Sequence, residues 1–189
     1  MRRIITNNNN NLKHLNIMNK TFIVNNAGMM CLLRLMSEDE LVRDFFENED
    51  NYEFYEASYN DYGYWWKISI SKAETTTSAK TAETVVKALE PFVVVDSGLF
   101  EEFTNHVDCY RQEQLNALYE NEDAEYRAQN PNAAEMYREQ REHEIEKDLA
   151  NVGWSYVCKK FSLDYYAGED QIEDKKVKET VQALLWPYD

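Results

Sequence analysis

Two carboxylate–histidine pairs, Glu102 with His106 and Glu139 with His143, stand four residues apart in segments whose apolar residues recur at helical spacing. That spacing sets an imidazole and a carboxylate on one helix face, a donor set for a transition-metal ion if two such faces meet. The chain positions argue against a shared ion. With a turn near residue 130, His106 lies 24 residues before it and His143 only 13 after, an offset of about 16 Å along the helix axes. No metal ligand set is therefore expected, and both pairs read as exposed helix polars.

Nucleophilic catalysis is supported no better. His106-Val107-Asp108-Cys109 brings an imidazole and a thiol to i,i+3, but Asp108 and Glu113 outweigh Arg111 around Cys109 and disfavour a thiolate. Cys109 reads as a helix cysteine of the packed kind. The five glycines, at 28, 63, 98, 153 and 168, are scattered and build no phosphate loop. Carboxylates are too abundant for any two to stand out as an acid/base couple. No catalytic residue, no cofactor and no enzymatic activity are expected.

A different signal lies in NYEFYEASYNDYGYWW, residues 51–66, which holds eight aromatic rings and three carboxylates without a lysine, arginine or histidine. Rings interleaved with bases would stack on single-stranded nucleic acid while the bases tracked phosphates. Here the interleaved charges are Glu53, Glu56 and Asp61, which repel phosphates. Tyrosines among carboxylates suit a protein partner instead, since rings stack on guanidinium planes and carboxylates pair with arginine. The alternative is that Tyr52, Phe54, Tyr64 and Trp66 are the core face of a hairpin; one face is read as core and the other as an interface.

Charge distribution points the same way. The net charge of −15 comes from two separated blocks: residues 38–62, with ten acids against Arg43 alone, and residues 101–148, with fourteen acids against five bases. Residues 1–37 carry five bases and no acid. Such a field disfavours direct contact with nucleic acid or an anionic membrane and steers the chain toward cationic surfaces. Glu135, Glu139, Glu142 and Glu146 fall at helical spacing, a row of carboxylates about 5–6 Å apart. Arg138, Arg141 and Lys147 lie among them and can dilute the row.

The elements that must position these residues follow from periodicity. Lys20 to Val24 reads as a strand, and Ser37 with Glu40 forms a capping box opening a helix over 38–48, with Leu41, Val42, Phe45 and Phe46 on one face. Strands near 51–58 and 64–71 make a hairpin about Asn60-Asp61-Tyr62-Gly63. A helix over 79–90 stops at Pro91, and Phe92 to Val95 is a short buried strand. A helix from Leu99 toward Gln129 and a second one after Asn130-Pro131, carrying Met136, Tyr137, Ile145, Leu149 and Val152, form an antiparallel hairpin. Its tip holds Glu120, Glu122, Asp123 and Glu125. Trp154 to Leu163 reads as a strand, followed by a helix over 172–186.

The stretch ETVVKALEPF, 83–92, matches ETVQALLWPY, 179–188, at Glu, Thr, Val, Leu and Pro, and a glycine precedes the strand expected before each. This is either an ancient strand–helix duplication or coincidence. The fold class is α+β: a small antiparallel sheet with packed helices and a long acidic antiparallel helical hairpin inserted between two similar strand–helix units. The expected organisation is a disordered Asn-rich leader over 1–19, an N-terminal unit over 20–98, the hairpin over 99–152 and a C-terminal unit over 153–189, together one compact domain. Met18 is an alternative start, and a transit peptide is the other reading of the basic leader; the leader lacks the apolar segment of a secretory signal. Three cysteines without a CxxC pair suit a reducing, cytoplasmic setting, and the apolar run 28–36, broken by Arg34, is too short to span a bilayer.

In size, acidity and lack of catalytic motifs the chain resembles the small counter-defence proteins of phages and mobile elements, the anti-restriction and anti-CRISPR inhibitors, some of which imitate DNA. The resemblance implies a non-enzymatic inhibitor whose negative, tyrosine-rich surface blocks the basic nucleic-acid-binding groove of a partner such as a CRISPR effector or restriction enzyme. No family motif accompanies it, so no residue roles are carried over. From charge and ring placement, the partner-binding candidates are Tyr52, Glu53, Tyr55, Glu56, Tyr59, Asp61 and Tyr62 with Glu120, Glu122, Asp123 and Glu125 at the hairpin tip. The alternatives are an adaptor that self-associates through its hairpin, and an enzyme whose carboxylates bind Mg²⁺ or a cationic substrate.

Overall fold

The computed structural model describes residues 18–47, 55–73, 76–120, 128–129 and 131–188, with backbone alone at 18–19, 55–62, 71–73 and 76. The chain is α+β and divides into two compact units, Met1–Ser97 and Gly98–Asp189. Of the leader expected over 1–19, residues 1–17 lie outside the description, while Met18 and Asn19 already belong to the first strand.

The first unit is a four-stranded antiparallel sheet with helices on one face. Its elements are β1 (Met18–Asn25), α1 (Asn26–Glu38), α2 (Glu40–Glu47), β2 (Tyr55–Tyr62), β3 (Trp65–Ala73), α3 (Thr76–Leu89) and β4 (Val93–Val95). Strand order is β2-β3-β1-β4, so β2 is an edge strand. Phe22 pairs with Ile68 and Val24 with Trp66 in register. From that face Phe22, Val24, Ile68 and Ile70 pack against Met29, Leu32 and Met36 of α1, Val42 and Phe45 of α2, and Ala82, Val85 and Leu89 of α3. Ile23, Trp65 and Val95 are buried as well, so β1 carries an unbroken apolar run rather than a simple alternation.

Two boundaries differ from the sequence reading. The apolar run 28–36 is a helix, because Met29, Leu32 and Met36 recur at i, i+3 and i+7 and are buried together. That helix extends through the expected capping box: the Ser37 hydroxyl donates to the Arg34 carbonyl, and Asp39 is the residue that caps α2, accepting from the amides of Leu41 (2.9 Å) and Val42 (3.4 Å). The β-hairpin turns later than expected. Its ladder runs through Asn60↔Lys67 and Asp61↔Trp66 to Tyr62↔Trp65, leaving Gly63 and Tyr64 as a two-residue connection. Gly63 takes a φ of 70°, the positive value needed at the first position of a II′ turn. Tyr64 is accordingly not a core residue but a turn residue, 71% exposed.

Among its described residues the second unit contains helices and no strand. It comprises α4 (Ser97–Glu120), whose first residue ends the first unit, α5 (Pro131–Phe161) and α6 (Lys175–Leu185), with 3-10 turns at Glu169–Gln171 and Trp186–Tyr188. The expected strand over 154–163 is the last third of α5. Trp, Tyr and Val favour strands in isolation, but Ile145, Leu149, Gly153 and Val157 continue one buried i,i+4 stripe, and burial overrides propensity. Gly153 hides that continuity in the sequence: Phe103 and Leu185 fill the space above it, at 3.2 and 3.1 Å from where a Cβ would stand. The idea of two similar strand–helix units is corrected with it, since α6 follows a helix. What the two ten-residue stretches share is local: Val85 and Leu89, and Val181 and Leu185, are buried near the ends of α3 and α6, each of which runs into a proline-bearing 3-10 turn.

Candidate functional site

The helical hairpin carries much of the chain's acidity, with fourteen acids against five bases over residues 101–148. Pro131 starts α5 at the position where a missing amide proton costs nothing. Four interactions tie the arms in antiparallel register: the Tyr119 hydroxyl donates to Glu142 (2.7 Å), Arg111 Nη2 donates to Glu146 (2.6 Å), the Tyr110 hydroxyl lies 3.5 Å from Asp148, and the Tyr156 hydroxyl donates to Glu102 (3.0 Å). Lys160 also donates to Glu102. The hairpin base is closed by rings, Phe103 packing edge-on to Tyr156 at 5.5 Å and to Tyr188 at 5.8 Å.

The register sets the two carboxylate–histidine pairs at different heights along the hairpin. The His106 ring packs at a tilt against Tyr156, with centroids 5.3 Å apart, and Tyr156 lies 13 residues beyond His143 on the same helix. Among the described residues no group of three or more His, Cys, Asp or Glu side chains is placed to hold a metal ion. Cys109 is exposed, and burial, followed by the Asp164 charge, pushes the Cys158 thiol up, away from a thiolate.

What the hairpin does build is an uneven distribution of charge. Arg111 is held by Glu146, with Asp108 at 4.0 Å, and the Glu146 hydrogen bond raises the guanidinium's hold on its proton. Arg141 pairs with Glu144, whose carboxyl is lowered by the Gln140 hydrogen bond and by Arg141. Arg138 stands over the Tyr119 ring at 5.6 Å. Glu113, Glu120, Glu135 and Glu139 are exposed and have no ion-pair partner among the described residues. Of the carboxylate row read from the sequence, Glu135 and Glu139 thus keep an open charge, whereas Glu142 accepts from Tyr119 and Glu146 is neutralised by Arg111.

The remaining candidates divide as follows. Glu120 ends α4 and is exposed. Tyr52, Glu53, Glu122, Asp123 and Glu125 lie outside the described residues. Tyr55, Glu56, Tyr59, Asp61 and Tyr62 all lie on the edge strand β2, at register positions opposite Ala73, Lys72, Ile68, Trp66 and Trp65 respectively. Two features escaped the sequence reading. One is the Glu102–Tyr156–Lys160 clamp, foreshadowed only by the i,i+4 spacing of Tyr156 and Lys160. The other is Tyr165-Tyr166, an adjacent pair of rings exposed in the loop after α5.

No protein-family model, no curated protein and no solved structure matches the chain. No helix among the described residues is long and apolar enough to cross a membrane.

Proposed function

We propose that the chain is a non-enzymatic binding protein whose negative, tyrosine-rich surface occupies the basic nucleic-acid-binding groove of a partner and blocks it. The partner class is a nucleic-acid-handling protein of the CRISPR-effector or restriction-enzyme type, and the carboxylates stand in for phosphates. The observation that carries this reading is the division of charge on the hairpin: Arg111, Arg138 and Arg141 are engaged within it, while Glu113, Glu120, Glu135 and Glu139 are exposed with no ion-pair partner among the described residues. Unpaired carboxylates keep their field in solvent and attract cationic surfaces at rates that fall as salt rises. Tyrosine-rich β2, at the sheet edge, offers a second contact element.

The test is competition. Each candidate effector is mixed with the chain and its DNA binding measured from low to high salt. Loss of DNA binding that is strongest at low salt and fades as salt rises supports the reading. Unchanged DNA binding at low salt, across candidates of both classes, removes it.

A further inference from the structure

We infer that the loop between α5 and α6 is an arginine-docking surface, with Tyr166 as the ring on which a partner's guanidinium stacks. The inference rests on the reading that the chain binds a basic protein, and it names a contact that reading did not include. Tyr166 is 94% exposed and Tyr165 41%, their rings edge-to-face at 5.4 Å. Tyr166 is the most exposed large hydrophobic side chain among the described residues, and with Tyr165 it forms a paired patch rather than a scattered single ring.

The loop is already ordered around them. Trp154 Nε1 donates to the Tyr165 carbonyl at 3.0 Å, and Asp164 Oδ1 accepts from the Tyr166 amide at 2.9 Å. The Gln171 side chain braces both ends, accepting from the Asp164 amide and donating to the Asp164 and Gly168 carbonyls, each at 2.7 Å. A ring held on a fixed backbone loses little entropy on binding, which is what makes tyrosine effective in recognition loops.

The surrounding charge selects the partner group. Residues 162–174 contain five carboxylates and no base, lysine returning only at 175 and 176. Asp164 and Asp174 cap backbone amides and Glu169 accepts from Gln182, whereas Asp170 and Glu173 are exposed with no ion-pair partner among the described residues. Phosphates are repelled by such a loop. Of the two basic side chains, arginine suits an exposed ring in an acidic loop better, because its planar guanidinium stacks on rings and its N–H fork pairs with carboxylates, whereas an ammonium has neither the plane nor the fork.

The test measures the full chain against fluorescein-labelled oligo-arginine and oligo-lysine peptides of equal length, by anisotropy over a salt series. The expected result is tighter binding of oligo-arginine, with Tyr166→Ala weakening it about fivefold and erasing the preference over oligo-lysine. Tyr166→Phe keeps the ring and the preference. Glu135→Lys/Glu139→Lys on the hairpin weakens both peptides alike and leaves the preference in place. Equal binding of the two peptides by the native chain, or a preference that survives Tyr166→Ala, overturns the loop assignment while the wider reading stands. If neither peptide binds at low salt, both fail.

Discussion

Arg111 Nη2 reaches across the hairpin to Glu146 Oε2 at 2.6 Å, so that a base of α4 is held by an acid of α5. Both side chains are well exposed, 38% and 51%, so the pair contributes little to stability and more to what the surface displays.

Removing Arg111 should therefore act in two directions. Arg111→Ala is expected to cost about 0.5 kcal/mol in urea melts. The same change frees Glu146 and should strengthen binding to a basic partner at low salt, while Glu146→Gln leaves that binding unchanged or weaker. Weaker partner binding in Arg111→Ala would show that the guanidinium itself makes the contact.

Gly28 has a steric role in the first unit. A Cβ there would stand 2.8 Å from both the Phe92 and the Val24 Cβ atoms, which are fixed to the backbone and cannot swing aside. Gly28→Ala should cost about 1–3 kcal/mol by overpacking. Gly153→Ala meets the end of the Leu185 side chain at 3.1 Å and the Phe103 ring edge, groups with more freedom to adjust. Thermal melts should rank Gly28→Ala as the more damaging change.

Ser162 closes α5 in the left-handed region, φ 57°, while the Leu163 amide bonds back to the Cys158 carbonyl at 2.8 Å. That is a Schellman end with serine where glycine is the usual occupant. Relieving the Cβ clash, less the extra freedom glycine gives the unfolded chain, predicts that Ser162→Gly raises stability by about 0.5–1 kcal/mol. Denaturant midpoints with an unchanged slope would report it.

The Glu102 clamp sets an acid limit on the hairpin base. Hydrogen bonds from Lys160 and then Tyr156 hold the Glu102 carboxyl below its ordinary value of 4.5. A carboxylate whose pKa is lower folded than unfolded stabilises the fold above the ordinary value, and that contribution is lost as pH falls through the folded value. Glu102→Gln should thus match the native chain least at neutral pH and converge with it below about pH 4.5. A constant gap in midpoint across that range would mean that Glu102 acts through packing rather than charge.

The parts of this molecule that could be read from sequence are those where one local rule governs. Asn130-Pro131 marks the start of α5, and the decay of the apolar pattern beyond Tyr119 marks the exposed arm of the hairpin, so both helices and the separation of His106 from His143 follow. The region after Gly153 was opaque because its residues favour strands and because the glycine breaks the visible stripe; only Phe103 and Leu185, distant in sequence, complete it. The capping box at Ser37 was misleading for a related reason: Ser37 lies within α1, whose end depends on burial of Met36. The charge of the hairpin was legible, but not which charges remain open. That depends on cross-arm pairs such as Tyr119 with Glu142, which spacing along a single helix does not reveal.

Charge reversal separates the two surfaces offered to a basic partner. Glu53→Lys/Glu56→Lys/Asp61→Lys changes the tyrosine-rich edge, and Glu135→Lys/Glu139→Lys changes the hairpin. In β2, Glu56 lies opposite Lys72 in register, so the first variant places like charges across the ladder and should lose a few tenths of a kcal/mol. Glu135 and Glu139 make no ion pair among the described residues, so the hairpin variant should melt as the native chain does. If β2 is the contact, the triple variant abolishes inhibition of the effector's DNA binding while the hairpin variant retains most of it; if the hairpin is the contact, the order reverses. Because three reversals change net charge more than two do, each must be compared with a control carrying the same number of reversals elsewhere, for instance at Glu38, Glu40 and Glu47, where Arg34 and Arg43 already neutralise part of the field. Long-range steering would make every variant weaken association in proportion to net charge and mainly through its rate. A contact surface would instead show in faster dissociation confined to one variant, and that difference in dissociation rate decides between the edge and the hairpin.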